Sequence, residues 1–110
     1  MTSPVVPAAG AVAPRAESRP VPETVRAYFF VSAPADPGLL PRLIEPLAKL
    51  GAVPTRVHAS RESGDGTELT VDLRLAGIAP RTADLIGRAL RAVVGVRQVK
   101  SVVESEGDLR

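Results

Sequence analysis

Asp36-Pro37-Gly38-Leu39-Leu40 stands between two stretches of different hydrophobic period, and the change of period at this corner decides the fold. On its N-terminal side, Val25 to Ala33 alternates. Val25, Ala27, Phe29 and Val31 fall on one face and Arg26, Tyr28, Phe30 and Ser32 on the other, the period of a β-strand. On its C-terminal side, Leu40, Leu43, Ile44, Leu47 and Leu50 recur at helical spacing. The first unit is therefore strand, tight corner, helix. With Gly38 near the helix start, Pro41 falls in the first turn, where no intrahelical donor is lost. Pro46 falls in the interior, where it removes a hydrogen bond and predicts a kink. Gly51 predicts a left-handed cap that ends the helix.

Beyond that helix, Val53 to Arg61 predicts a second strand, with Val53, Thr55, Val57 and Ala59 facing inward. Ser63-Gly64-Asp65-Gly66 is hairpin chemistry. In Glu68 to Leu75, Leu69, Val71, Leu73 and Leu75 alternate strictly with Glu68, Thr70, Asp72 and Arg74, a third strand. Gly77 and Pro80 make a turn into a second helix over about Arg81 to Val94, with an apolar stripe of Ile86, Ala89, Leu90 and Val93. Gly87 inside that helix predicts close packing on the sheet, because a helix-interior glycine costs about 1 kcal/mol against alanine. Gly95 predicts the stop, and Val96 to Glu104 a fourth strand.

The order is βαββαβ, and the two halves echo each other in Leu50-Gly51-Ala52-Val53 and Val94-Gly95-Val96. This predicts an α+β, ferredoxin-like fold: a four-stranded antiparallel sheet in the order 4-1-3-2, with two helices on one face. Residues 24–104 form the expected domain. Residues 1–23, rich in Pro, Ala and Val without period, are expected to be a disordered tail, and residues 105–110 a frayed end. A folded part under about 90 residues has a marginal core. With open sheet edges and aromatic Tyr28 and Phe30 on the face away from the helices, this predicts a homodimer.

Bulk properties narrow the function. The 110 residues carry a formal net charge of only +2, too little for a general nucleic-acid footprint. Cysteine is absent, which removes disulfides, thiolate metal sites and cysteine nucleophiles, and is compatible with a cytoplasmic location. No apolar run approaches the ~20 residues that span a bilayer. The N-terminal region reads poorly as a signal peptide, since Pro4, Pro7 and Pro14 interrupt it and no basic residue precedes Arg15.

Specific chemistries fare no better. RNA recognition on this fold needs stacking aromatics on the central strands; strand one offers Tyr28 and Phe30, but strand three offers Glu68, Thr70 and Asp72, which repel phosphate. Phosphatase chemistry would need Arg and Asn near the first corner, and residues 32–38 hold neither. His58 is the single histidine, on an expected edge strand without a visible nucleophile or orienting carboxylate, so a surface or interface role is expected. Gly64-Asp65-Gly66 begins like a dinucleotide fingerprint but leads into a strand, and Asp65 with Glu68 lacks the spacing of a calcium loop. No catalytic residue, metal or cofactor is expected.

The corner itself offers backbone. Gly38 allows close approach, and the amides of Gly38, Leu39 and Leu40 are first-turn donors at the positive end of a helix dipole, a place for an amino acid's carboxylate. Two readings stand: a ligand-binding corner of Asp36, Gly38, Leu39 and Leu40, or a well-made helix start in which Asp36 caps the amides itself.

Strand one, Asp36-Pro37-Gly38-Leu39-Leu40, then Leu43, Leu47, Ala48 and Gly51, resembles the ACT domain, and Leu85 to Val99 fits as well. The resemblance covers roughly residues 24–104. It implies a sensor that binds amino acids at interfaces between paired domains and regulates metabolic enzymes. Glu68-Leu69-Thr70-Val71 and Pro80-Arg81-Thr82-Ala83-Asp84-Leu85 are also similar to the single-ACT small regulatory subunits of acetolactate synthase, which implies an enzyme large subunit as partner. Amino-acid-binding members often carry Asn three residues before the corner glycine; here that position is Ala35, and Asp36 lies one residue later. The resemblance thus implies a non-catalytic regulatory or accessory domain of amino-acid metabolism, with a ligand-free module that stabilises a partner enzyme as the alternative.

Overall fold

A computed structural model describes residues 23–61 and 64–107. Apart from Glu23, the expected tail lies outside the described residues. The elements are β1 (Val25–Pro34), α1 (Leu39–Lys49), β2 (Arg56–Ser60), β3 (Glu68–Ile78), α2 (Pro80–Arg91) and β4 (Gln98–Ser105). All pairings are antiparallel and the sheet order is β2-β3-β1-β4, the expected 4-1-3-2 read from the other side.

The core forms where the alternation was strict. Val25, Ala27, Phe29 and Val31 of β1 and Leu69, Val71, Leu73 and Leu75 of β3 are buried against Leu39, Leu43 and Leu47 of α1 and Ala83, Ile86 and Leu90 of α2. No polar or charged residue is buried among the described residues. Gly87 packs as its position required: a Cβ there would lie 3.4 Å from Phe29 Cε1.

The edge strands differ from expectation. β2 is five residues long and contributes nothing to the core; Val57 is 46% exposed, and Val53, which precedes the strand, is 83% exposed. The cause is the α1 seat. Its buried row is Leu39, Leu43 and Leu47 at i, i+4 and i+8, so the helix is rotated from the expected stripe and leaves Leu40 and Leu50 over a third exposed. One apolar row from each helix, Leu39, Leu43 and Leu47 in α1 and Ala83, Ile86 and Leu90 in α2, covers the central strands, and α2 also reaches β4, which leaves β2 uncovered. The segment before β2 belongs to the α1 terminus. Ala52 N–H donates to Leu47 O at 2.8 Å and Gly51 N–H to Ala48 O at 3.1 Å, with Gly51 at φ +70°, a Schellman cap.

Two further boundaries move. Pro46 neither ends nor splits α1, which runs on to Lys49. α2 stops at Arg91 rather than near Val94, because the chain then bends so that both Val93 and Val96 pack on the core and Arg97 N–H reaches Ser32 O at 2.9 Å. At the other end of the sheet, order extends past Glu104. Glu106 N–H donates to Thr24 O at 3.0 Å, while its carboxylate accepts from the Thr24 hydroxyl at 2.7 Å and the Gly77 amide at 3.3 Å and pairs with Arg26 at 3.4 Å. It ties the β4 terminus to β1 and to the bulge at the end of β3, where Gly77 takes φ +68°.

Candidate functional site

β1 leaves the sheet at Pro34, and Ala35 N–H donates to Thr67 O at 2.8 Å, which fastens the corner to the loop before β3. Asp36 then organises the turn. Its carbonyl accepts Leu39 N–H at 3.0 Å, and its Oδ2 accepts both Gly38 N–H at 3.2 Å and Arg42 Nη2 at 2.8 Å. Arg42 N–H closes the first helical turn on Gly38 O at 3.3 Å.

These bonds decide what each corner residue can offer. The Gly38 and Leu39 amides are used by Asp36, and the Leu39 side chain is in the core. The space above Gly38 is held by Arg42, whose Nη1 would stand 2.6 Å from a Cβ at that glycine. Among the described residues only the Leu40 N–H of this turn has no acceptor, since Pro41 has no N–H. The corner is thus a self-satisfied helix start with one spare amide, not a cradle of three.

Beside it lies a cleft of about 250 Å³ lined by Ala35, Asp36, Pro37, Leu40, Arg61 and Leu69. Arg61 donates from Nε and Nη2 to Gly66 O at 3.1 and 3.0 Å, which leaves the rest of its guanidinium donors for another acceptor. The cleft therefore combines a carboxylate, a guanidinium and an apolar lining. An α-amino acid presents the complementary set: an ammonium for Asp36, a carboxylate for Arg61 and the spare amide, and a side chain for Ala35, Leu40 and Leu69.

The sequence pointed to Asp36, Gly38, Leu39 and Leu40; the fold keeps Asp36 and Leu40 at the cleft and turns Gly38 and Leu39 to structural use. It brings in Arg42, Arg61 and Leu69. Arg42 was legible in principle, since it lies one helical turn beyond Gly38. Arg61 had no local signal, because the strand hairpin alone carries it to the corner.

The helix-free face of the sheet holds a second hollow, also about 250 Å³, whose central row is His58, Asp72, Phe30 and Lys100 across the four strands. Tyr28 is not free for stacking there: the Arg74 guanidinium lies 5.4 Å from its ring centroid and is itself held by Asp72 at 3.2 Å. His58 is exposed on β2.

The model of the ACT-like domain family matches residues 21–106. No curated protein matches the chain. Among solved structures, the ACT domain of a GTP pyrophosphokinase from Chlorobium tepidum aligns over 72% of this chain and 99% of that one, with a TM-score of 0.60 and 15% identity. The C-terminal domain of the MgtC protein from Mycobacterium tuberculosis aligns over 76% and 90%, at a TM-score of 0.58 and 11% identity. The regulatory subunit of aspartate kinase from Thermus flavus aligns over 74% and 52%, at a TM-score of 0.51 and 13% identity. At these identities the likeness is one of fold. Among the described residues, no helix is long and apolar enough to cross a membrane.

Proposed function

Because the chain belongs to the ACT-like domain family, we propose that it is a non-catalytic regulatory or accessory domain of amino-acid metabolism, dimeric, with a small amino acid as its ligand in the corner cleft. The observation that carries the ligand is the pairing of Asp36 and Arg61 in one cleft with an otherwise apolar lining. The volume of about 250 Å³ suits a small or medium-sized α-amino acid. The regulatory role is supported by the family match and by a fold shared with the regulatory subunit of an aspartate kinase. The absence of cysteine fits a cytoplasmic setting.

The test is a thermal-denaturation screen of the full chain against the twenty amino acids. A ligand present at about 100 times its Kd stabilises by about 2.7 kcal/mol, a readily measured rise in Tm. The shift is expected for few amino acids and is lost in Arg61→Ala and in Asp36→Ala. A flat screen at millimolar concentration rejects the sensor reading.

The use of the Gly38 and Leu39 amides by Asp36 favours a second reading, a ligand-free module that stabilises a partner enzyme, with an acetolactate synthase large subunit as the first to test. Exposed Leu50, Val53 and Val57 supply apolar surface for such a partner. Affinity for that large subunit that persists in Arg61→Ala supports the module over the sensor.

A further inference from the structure

The outer edge of β4 is open, and its sequence is self-complementary about one residue. β4 pairs only with β1, so one side of its backbone has no strand beside it. The register with β1 is uniform from Val25↔Ser105 to Ser32↔Gln98, and Glu106 N–H donates to Thr24 O. Even-numbered residues of β4 therefore turn their N–H and C=O groups toward β1, and Val99, Ser101, Val103 and Ser105 turn theirs outward. Val102 and Val103 are 46% and 51% exposed, on opposite faces of this edge. Such an edge normally carries some device against pairing; this one has no proline, no bulge and no covering loop among the described residues, and its two charges, Lys100 and Glu104, are of opposite sign.

We infer that β4 is the surface on which a second copy of this chain docks, antiparallel to its own β4, with the two-fold axis at Val102. Three independent features meet at that register. Backbone parity makes Val102 and the partner's Val102 a non-hydrogen-bonded pair, flanked by hydrogen-bonded pairs of Ser101 with the partner's Val103 and of Val99 with the partner's Ser105. Charge is complementary: Lys100 faces the partner's Glu104 on both sides of the axis, on the same helix-free face as Val102. Lys100 has no ion-pair partner among the described residues, so the contact replaces none. The third feature is apolar. On the helix side, the partner's Val103 arrives beside Ser101, at the rim of a cleft between α2 and β4 of about 140 Å³ that has Gly87, Arg91 and Phe29 in its lining. Shifting the axis to Ser101 sets Lys100 against the partner's Val102 and loses both ion pairs, and shifting it to Val103 sets Lys100 against the partner's Glu106, a carboxylate already held by Thr24, Gly77 and Arg26. The other edge offers less, because β2 has five residues and no opposed charges about its centre. This rests on the dimeric reading above and assigns its surface; it leaves the Asp36–Arg61 cleft, beside β3, away from the contact.

The test uses the full chain with charge reversals and a single introduced cysteine, the native chain having none. Lys100→Glu and Glu104→Lys each turn two attractive contacts into repulsive ones, and each should weaken the dimer by roughly tenfold or more in sedimentation equilibrium. The double variant should regain wild-type affinity, and an equimolar mixture of the two single variants should form a mixed dimer. Non-hydrogen-bonded pairs bring Cα atoms to about 4.5 Å, within disulfide range. Val102→Cys should therefore cross-link to itself on mild oxidation, while His58→Cys at the opposite edge should not. Circular dichroism checks that each variant is folded, and the cysteine pair decides should a charge variant not fold. A dimer that keeps its affinity in Lys100→Glu, or one that cross-links through His58→Cys instead, overturns the β4 interface and leaves the dimeric reading in place. A wild-type chain that stays monomeric at high micromolar concentration overturns both.

Discussion

Glu106 joins three strands through one side chain. Hydrogen bonding from the Thr24 hydroxyl, with further help from the Gly77 amide and Arg26, holds its carboxyl below the ordinary value of 4.5. A carboxylate whose pKa is lower folded than unfolded favours the folded state when ionised. That contribution is complete above the unfolded value and is lost as pH falls through the lower folded one. Glu106→Gln should therefore lower Tm at pH 7, and the gap between wild type and variant should close as thermal melts are taken down to pH 3. A gap independent of pH would mean that the carboxylate's charge plays no part. Asp36 is the comparable residue at the opposite end of β1, where it satisfies the Gly38 and Leu39 amides and orients Arg42. Its type and place were legible, since an Asp close before a helix accepts its free amides, here from two residues before the N-cap Gly38. Its second partner, Arg42, was legible by its position one helical turn beyond Gly38, but the direction in which that side chain turns was not.

Among the elements, α1 shows where local rules end. Its cap at Gly51 and the placement of Pro41 follow from residue type alone. Its rotation does not. Leu39, Leu40, Leu43, Ile44, Leu47 and Leu50 supply two overlapping rows, and either satisfies a helical period. Packing against β1 and β3 selects the row of Leu39, Leu43 and Leu47. Pro46 persists inside the helix at the cost of the bond that the Arg42 carbonyl would otherwise accept. Restoring that donor should outweigh the unfolded-state entropy that proline removes. Pro46→Ala is expected to stabilise by about 1–2 kcal/mol, read as a higher urea midpoint at unchanged m-value. β2, at Arg56–Ser60, falls within the expected strand of Val53 to Arg61, but its length and burial were not legible. Alternation reports which residues share a face, and says nothing about whether a helix covers that face.

For the whole molecule, the cooperative unit spans the six elements closed by the Thr24–Glu106 clamp, and it coincides with the family match over residues 21–106. A chain that begins at residue 21 is therefore expected to unfold in one transition at the Tm of the full chain. A fall of several degrees would show that the preceding segment adds to the core. The element order, the antiparallel ferredoxin-like plan, the strict inner faces of β1 and β3 and the lack of cysteine chemistry are all written in the linear chain. These follow from period, turn residues and composition, each read within a few positions along the chain. Folding alone brings Arg61 and Leu69 to Asp36 in one cleft, leaves β2 uncovered and places Lys100, Val102 and Glu104 on a free edge. Those facts depend on which strands become neighbours and which helix face is seated. Non-local packing sets both, through contacts between residues that stand far apart in the chain.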